Sequence, residues 1–350
     1  MSNFDDYKKA LQAQLKKSKI SVDLDTLDAH PSSIVSTWLP TGCLPLDTIL
    51  GGGIPVGRVV EFYGDESTGK SLVAAHIASE ALELGHFVVM ADSEAAVSMP
   101  MIEAVGVDTS KLLYFIPDTM EEVFQAFDAA IEAKLVDSEE VLVLIWDSVA
   151  ASATKAEMEA DYGKAHMAPQ ARLMSASLRK LNTQISKRKV CVILVNQTRD
   201  KIGVMFGPSK DTTGGKALKF YTSVRVELAH KGKLFNDDLD KNHPDAVIGV
   251  NLQARVVKNK VAAPFKHCML PVLFNYGIDD AASTFEYLKS KKIINHTGKG
   301  WYLCDTIEKK FTENTWPEIY DKHFDTIVNL CGLGKSVQVE EVEAIVESDN

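Results

Sequence analysis

The chain predicts an α/β protein built on a central, mostly parallel, twisted sheet covered by helices. Two observations carry this. Short apolar runs of strand length, 87–92 (FVVMAD), 141–147 (VLVLIWD) and 190–196 (VCVILVN), alternate with stretches of helical period at 72–84, 120–134 and 168–187. The first apolar run, 58–63 (RVVEFY), leads straight into a glycine loop and then a helix that Gly85 closes.

That loop, Gly64-Asp65-Glu66-Ser67-Thr68-Gly69-Lys70-Ser71, has the G-x-x-x-x-G-K-[ST] pattern in the strand–loop–helix setting the pattern requires. Glycine lets backbone N–H groups curl around phosphate oxygens, and the helix N-terminus adds a favourable dipole. Lys70 is placed to reach the β- and γ-phosphates and the Ser71 hydroxyl to hold Mg²⁺, so ATP with Mg²⁺ is the expected ligand.

Later runs at 224–228, 252–257 and 269–274 read as further strands, some antiparallel. Residues 1–32 read as a basic helical arm and 33–277 as the core. After Gly277 short helices and Gly300-Trp301-Tyr302 suggest a small α+β domain over 278–334, and 335–350 form an acidic tail. Residues 40–58 are rich in turn formers, and 230–246 read as a polar, exposed hairpin tip.

In 350 residues with ordinary apolar content, no run reaches the roughly 18 residues of a membrane span, and the N-terminus lacks an apolar signal region. A cytoplasmic protein is expected, with reduced thiols at Cys43, Cys191, Cys268, Cys304 and Cys331, which show no C-x-x-C spacing. The net charge of −10 argues against nucleic acid only weakly, because the charge is segregated. Bases gather at 8–19 and 172–225, whereas 338–350 hold five acids and no base.

Polar residues close three strands, where ligands of open α/β sheets bind. Asp147 suits a Mg²⁺ ligand or a helix cap. Glu94 suits the base that deprotonates an attacking water, or again a cap. Gln197, after Asn196, suits a γ-phosphate sensor. The segment 199–216 then mixes glycines, bases and the apolar Val204-Met205-Phe206, which fits either a buried turn or a DNA-binding loop with apolar wedges. Residues 161–167 have a similar character.

TGCLPLDTILGGGIPVGRVVEFYGDESTGKS, WDSVAAS, KAEMEADYGKAHMAPQARLMS, NQTRDKIGVMFG, TTGGKALKFYTSVR and VVKNKVAAPFK, in that order, resemble the bacterial RecA recombinase family over about 40–333. The resemblance implies a RecA-like P-loop ATPase core and an ATP-dependent recombinase. Such a protein forms a helical filament on single-stranded DNA and pairs it with homologous double-stranded DNA. Single-strand-binding or loader proteins would be further partners. A nucleotide-controlled filament or mediator without strand exchange is the alternative, and the paired loops favour the recombinase.

By the same resemblance Lys70, Glu94 and Gln197 act in hydrolysis, and Lys258 and Lys260 close over ATP from the neighbouring subunit. Lys219-Phe220 matches the patch that relays nucleotide state across that interface. DNA loops match roughly 159–168 and 198–215. Arg172, Ser175, Arg179, Thr213, Gly214 and Gly215 match positions that contact the DNA backbone, and the cationic Arg199 opens the second loop. Ile202 matches a wedge between base triplets, and Met167, Met205 and Phe206 match residues that open the duplex. Met101 stands where the family stacks an aromatic on adenine, while Phe274 supplies an aromatic on the neighbour's side of the base.

Overall fold

The apolar runs are continuous because their strands are covered on both faces. Along Leu142–Asp147, Leu142, Leu144 and Trp146 join one apolar cluster with helices Met120–Ala133 and Met167–Ile185. Val143 and Ile145 join the other, with helix Lys70–Glu83. Strand Val190–Asp200 divides the same way, Val190, Val192 and Leu194 against Cys191, Ile193 and Val195. A period of two along buried parallel strands produces this split. Each of these side chains is 3% exposed or less, worth roughly 1.5–3 kcal/mol of burial for each large aliphatic one.

The structure is a computed structural model and describes residues 3–20, 24, 26, 35–134, 138–160, 167–186, 188–200, 210–236, 238–307 and 309–334. The expectations for Ile202, Met205 and Phe206, for 161–166, for the side chain of Met167 and for the acidic tail fall outside them.

Residues 1–36 and 37–350 form two units. The first holds the expected helix, Asn3–Lys17, with Asp5 and Asp6 in its first turn and Lys16 and Lys17 in its last, each matching the helix dipole. Its Phe4 and Tyr7 are exposed.

In the second unit the large sheet runs, among the described residues, in the order Gly277–Ile278, His267–Leu273, Val247–Asn259, Val224–Phe235, Val59–Gly64, Val190–Asp200, Leu142–Asp147, Phe87–Asp92, Leu112–Phe115. Pairing is parallel from Val224–Phe235 to Leu112–Phe115. Towards Gly277–Ile278 it is antiparallel, as expected for the later strands. The carboxyl ends of the parallel strands therefore open on one edge.

Three local readings need correction. The strand expected to end at Asn196 continues to Asp200, because Lys210–Thr212 returns along it and pairs Thr198 with Thr212. The strand expected over 224–228 runs to Phe235, in a long hairpin with Val247–Asn259, so the tip is shorter than 230–246. The turn-rich 40–58 contains a fully buried helix, Leu44–Leu50, with proline in its first turn and left-handed Gly51 (φ 105°) closing it.

Helix Asp280–Ser290, the three-stranded antiparallel sheet Asn295–Gly298, Trp301–Cys304 and Lys309–Thr312, and helices Trp316–Lys322 and Phe324–Leu330 follow among the described residues. Their Phe285, Phe311, Trp316 and Ile327 belong to the same apolar cluster as helix Lys70–Glu83. All five cysteines are free and buried. Among the described residues no helix is long and apolar enough to cross a membrane.

Candidate functional site

The phosphate loop leaves strand Val59–Gly64 at its carboxyl end and enters helix Lys70–Glu83 through left-handed Gly69 (φ 76°). A Cβ at Gly69 would strike the Leu252 side chain, and one at Gly64 the carbonyl of Leu228. The glycine spacing is thus a packing requirement as well as a conformational one. A cavity of about 410 Å³ opens here, lined by Glu66 to Leu72, Glu94, Met101, Asp147 and Gln197. Residues far apart in the sequence reading therefore share one pocket. Lys70 is almost buried, and burial lowers its pKa while Asp147, Glu94, Asp65 and Glu66 oppose that shift. Its Nζ donates to the carbonyl of Asp65 at 2.6 Å.

Asp147 ends strand Leu142–Asp147 and is 6% exposed. Burial, reinforced by Glu94 and Asp92, pushes its pKa up to about 6, against a hydrogen bond from Ser71 and the charge of Lys70. A buried carboxylate joined to a hydroxyl and crowded by acids is a hard-oxygen site that a divalent cation would relieve. The described residues contain no cluster of three or more metal-ligating side chains. One carboxylate plus one hydroxyl suits Mg²⁺, which completes its shell with water and phosphate oxygens. The residues fit that ion.

Glu94 is exposed at the pocket. Its Oε1 accepts both the Ser148 hydroxyl (2.5 Å) and the Gln197 amide (3.0 Å). Oε2 shares neither bond. The turn bearing Glu94 is held by the Asp92 carboxylate, which accepts from the N–H groups of Glu94, Ala96 and Val97 and from the Tyr114 hydroxyl. Ser93 hydrogen-bonds Trp146 and Ser152 beneath it. The sequence reading named Glu94 and Gln197 but missed Ser148 as the second donor to Glu94.

Strand Val190–Asp200 and the stretch Thr212-Thr213 are both tied to a buried network the sequence reading also missed. Glu61, fully buried, pairs with Arg225 and accepts the Asn196 amide at 2.9 Å. The same amide donates to the Thr213 carbonyl (2.9 Å), and Arg225 donates to the Thr212 hydroxyl (3.1 Å). The visible signal was a charge inside each apolar run, RVVEFY and SVRVEL.

On helix Met167–Ile185, Arg172 and Arg179 are exposed and Ser175 half-buried. Their i, i+3, i+7 spacing puts them on one stripe, opposite buried Met174, Leu178, Leu181 and Ile185. Arg179 donates to the Tyr221 hydroxyl, and Arg199 to the Ala150 carbonyl. Thr213 is buried, and left-handed Gly214 and Gly215 (φ 91° and 65°) open helix Gly215–Tyr221.

Lys258 and Lys260 converge on the end of that helix. Lys258 Nζ donates to the carbonyls of Lys219 (2.5 Å) and Thr222 (2.6 Å), and Lys260 Nζ to that of Phe220 (3.2 Å). Met101 and Leu72 form the wall between the phosphate pocket and a second cavity of about 270 Å³, whose rim carries Phe274.

Fold and site together define a P-loop nucleotide-binding α/β protein, its pocket at the carboxyl ends of a parallel sheet. The comparisons narrow this. The model of the RecA N-terminal domain family matches residues 9–279. A protein RecA of Geobacter metallireducens is 44% identical over 265 residues, covering 75% of this chain and 74% of its own. One from Lactobacillus acidophilus is 39% identical over 340 residues, covering 94% and 90%, and one from Lactobacillus johnsonii is 36% identical, covering 99% and 95%. The chain belongs to the RecA family.

Proposed function

We propose that this chain is an ATP-dependent homologous recombinase that assembles as a helical filament on single-stranded DNA, hydrolyses ATP in response, and exchanges strands with homologous duplex. The observation that carries this is a physical continuity. Strand Val190–Asp200 holds Gln197 against Glu94 in the nucleotide pocket and continues in the sequence into 201–209, part of the DNA-contacting segment of this reading.

In this reading the amides of 64–71 and Lys70 bind the triphosphate, while Met101 and Phe274 flank its base. Ser71 and Asp147 would hold Mg²⁺, which would supply positive charge to the phosphates. Glu94 takes a proton from the attacking water, oriented by Ser148 and Gln197 on its other oxygen. Gln197 exchanges its bond to Glu94 for one to the γ-phosphate and so reports nucleotide state to the loop.

Arg172, Ser175 and Arg179, with Arg199 and the backbone around Thr213, Gly214 and Gly215, grip DNA without reading sequence. Ile202 separates stacked bases, and Met167, Met205 and Phe206 open the duplex, leaving recognition to base pairing. Residues 1–32 are the arm that joins subunits, 33–277 the ATPase core, 278–334 a small C-terminal domain and 335–350 an acidic tail that competes with DNA.

Steady-state ATP hydrolysis, with and without single-stranded DNA at low and moderate salt, tests the coupling. The expected result is strong stimulation that fades as salt rises, since phosphate contacts release counterions. Equal rates with and without DNA would refute the proposal.

A pH dependence follows from Lys258, which completes a neighbour's site in this reading. Burial, helped by Lys260 and Arg225, lowers its pKa to about 8. Above that pH the folded protein releases a proton that the unfolded chain still keeps, so this group adds stability as pH rises. The cation offered to phosphate is lost over the same range. DNA-stimulated kcat should therefore fall above about pH 8 with no drop in melting temperature that this group causes. Lys258→Arg should carry the plateau to higher pH, because arginine stays charged. A flat profile in the unsubstituted protein would remove Lys258 from the site.

A further inference from the structure

Three successive residues at the end of strand Val190–Asp200 hold three neighbouring elements. Gln197 donates to Glu94, and the Arg199 guanidinium to the Ala150 carbonyl in the turn after Asp147. Between them, the Thr198 hydroxyl donates to the carboxylate of Asp65 in the phosphate loop. Register accounts for this. Gly64 pairs with Gln197 in parallel, so residues 65 and 198 are the next neighbours as the two strands leave their common ladder.

Asp65 is engaged at both of its ends. Its carboxylate takes the Thr198 hydroxyl, while its carbonyl takes Lys70 Nζ (2.6 Å) and the Thr68 hydroxyl (2.8 Å). An ammonium committed to that carbonyl is not committed to a phosphate. The residue that restrains Lys70 is thus itself restrained by the first residue past Gln197.

We infer that Thr198 is a positioning residue that sets nucleotide affinity from the DNA side. Its hydroxyl holds Asp65, and through Asp65 the phosphate loop, in the form that occupies Lys70. When DNA engages the segment after Asp200, Thr198 shifts, the Asp65 backbone loses the restraint it receives through its side chain, and its carbonyl gives up Lys70 to ATP. This rests on the proposed function and deepens it, because it is a second line of coupling beside Gln197. Gln197 carries γ-phosphate state out to the loop, and Thr198 carries DNA occupancy in to the phosphate loop. By linkage, ATP strengthens DNA binding by the same factor as DNA strengthens ATP binding.

The test is the ATP dissociation constant and the KM and kcat of the full-length protein, with and without single-stranded DNA, for the unsubstituted chain, Thr198→Val and Thr198→Ser. Valine keeps the branched shape and deletes the hydroxyl, and serine keeps the hydroxyl. Thr198→Val should bind ATP about five- to tenfold more tightly without DNA, the scale of one hydrogen bond, and gain little more when DNA is added. The change should lie in KM rather than kcat, and Thr198→Ser should behave like the unsubstituted protein.

Overturning results are an unchanged DNA-induced gain in Thr198→Val, or a Thr198→Ser that matches Thr198→Val. The first would show that the bond transmits nothing, the second that packing rather than the hydroxyl matters. If ATP affinity in the unsubstituted chain ignores DNA altogether, the proposed function falls first and the inference with it.

Discussion

Lys70→Ala is expected to abolish ATP turnover, lowering kcat by about a thousandfold or more. The reason lies in what faces the pocket. Lys70 is the cation that lines the cavity, and it stands among Glu66, Glu94 and Asp147, which all repel a polyphosphate. Without Lys70, the lining of this chain's own pocket offers the transferring phosphoryl group three carboxylates and no cationic side chain until the metal is bound. The fold should survive, because the ammonium is desolvated at a cost and donates to the Asp65 carbonyl in its own loop. Circular dichroism and a thermal melt alongside the hydrolysis assay separate the two effects. A folded Lys70→Ala that still hydrolyses ATP near the normal rate would show that turnover does not occur in this pocket.

Glu94→Gln should behave differently, losing hydrolysis by about a hundred- to ten-thousandfold while keeping nucleotide binding and filament assembly. Glutamine has the same shape and retains a carbonyl oxygen for the Ser148 and Gln197 donors, so the turn above Asp92 keeps its hydrogen bonds. What it lacks is a group that accepts a proton. Filaments formed with ATP should therefore persist longer than those of the unsubstituted protein, since the state that hydrolysis ends is no longer ended. Single-turnover hydrolysis, fluorescent-nucleotide binding and light scattering measure the three properties. Loss of ATP binding in this variant would assign Glu94 to ligand binding and remove it as the base.

Much of the site was legible because its signals are local. The 64–71 loop is a contiguous motif, and Glu94, Asp147 and Gln197 each follow an apolar run that ends near a strand's carboxyl terminus. That rule gives the pocket once the strands are parallel. The buried helix Leu44–Leu50 escaped because Pro45 and the glycines after it read as turn formers, although proline at a helix start and glycine past its end are boundary signals. The strand beyond Asn196 escaped because its partner, Lys210–Thr212, lies further along the sequence and no local pattern reports their pairing.

The sequence by itself determined the class of ligand, the alternation that builds a helix-covered parallel sheet, and the family, because spacing and period act over a few residues. Only the tertiary structure decided which polar groups meet. Glu61 finds Arg225 across 164 positions, Ser148 reaches Glu94 across 54, and Thr198 reaches Asp65 across 133. Those encounters depend on the order and register of strands. Any apolar run could in principle lie beside any other, since burial rewards area and not identity. Directional hydrogen bonds at the strand ends single out one arrangement, and they are formed only after the chain has closed on itself.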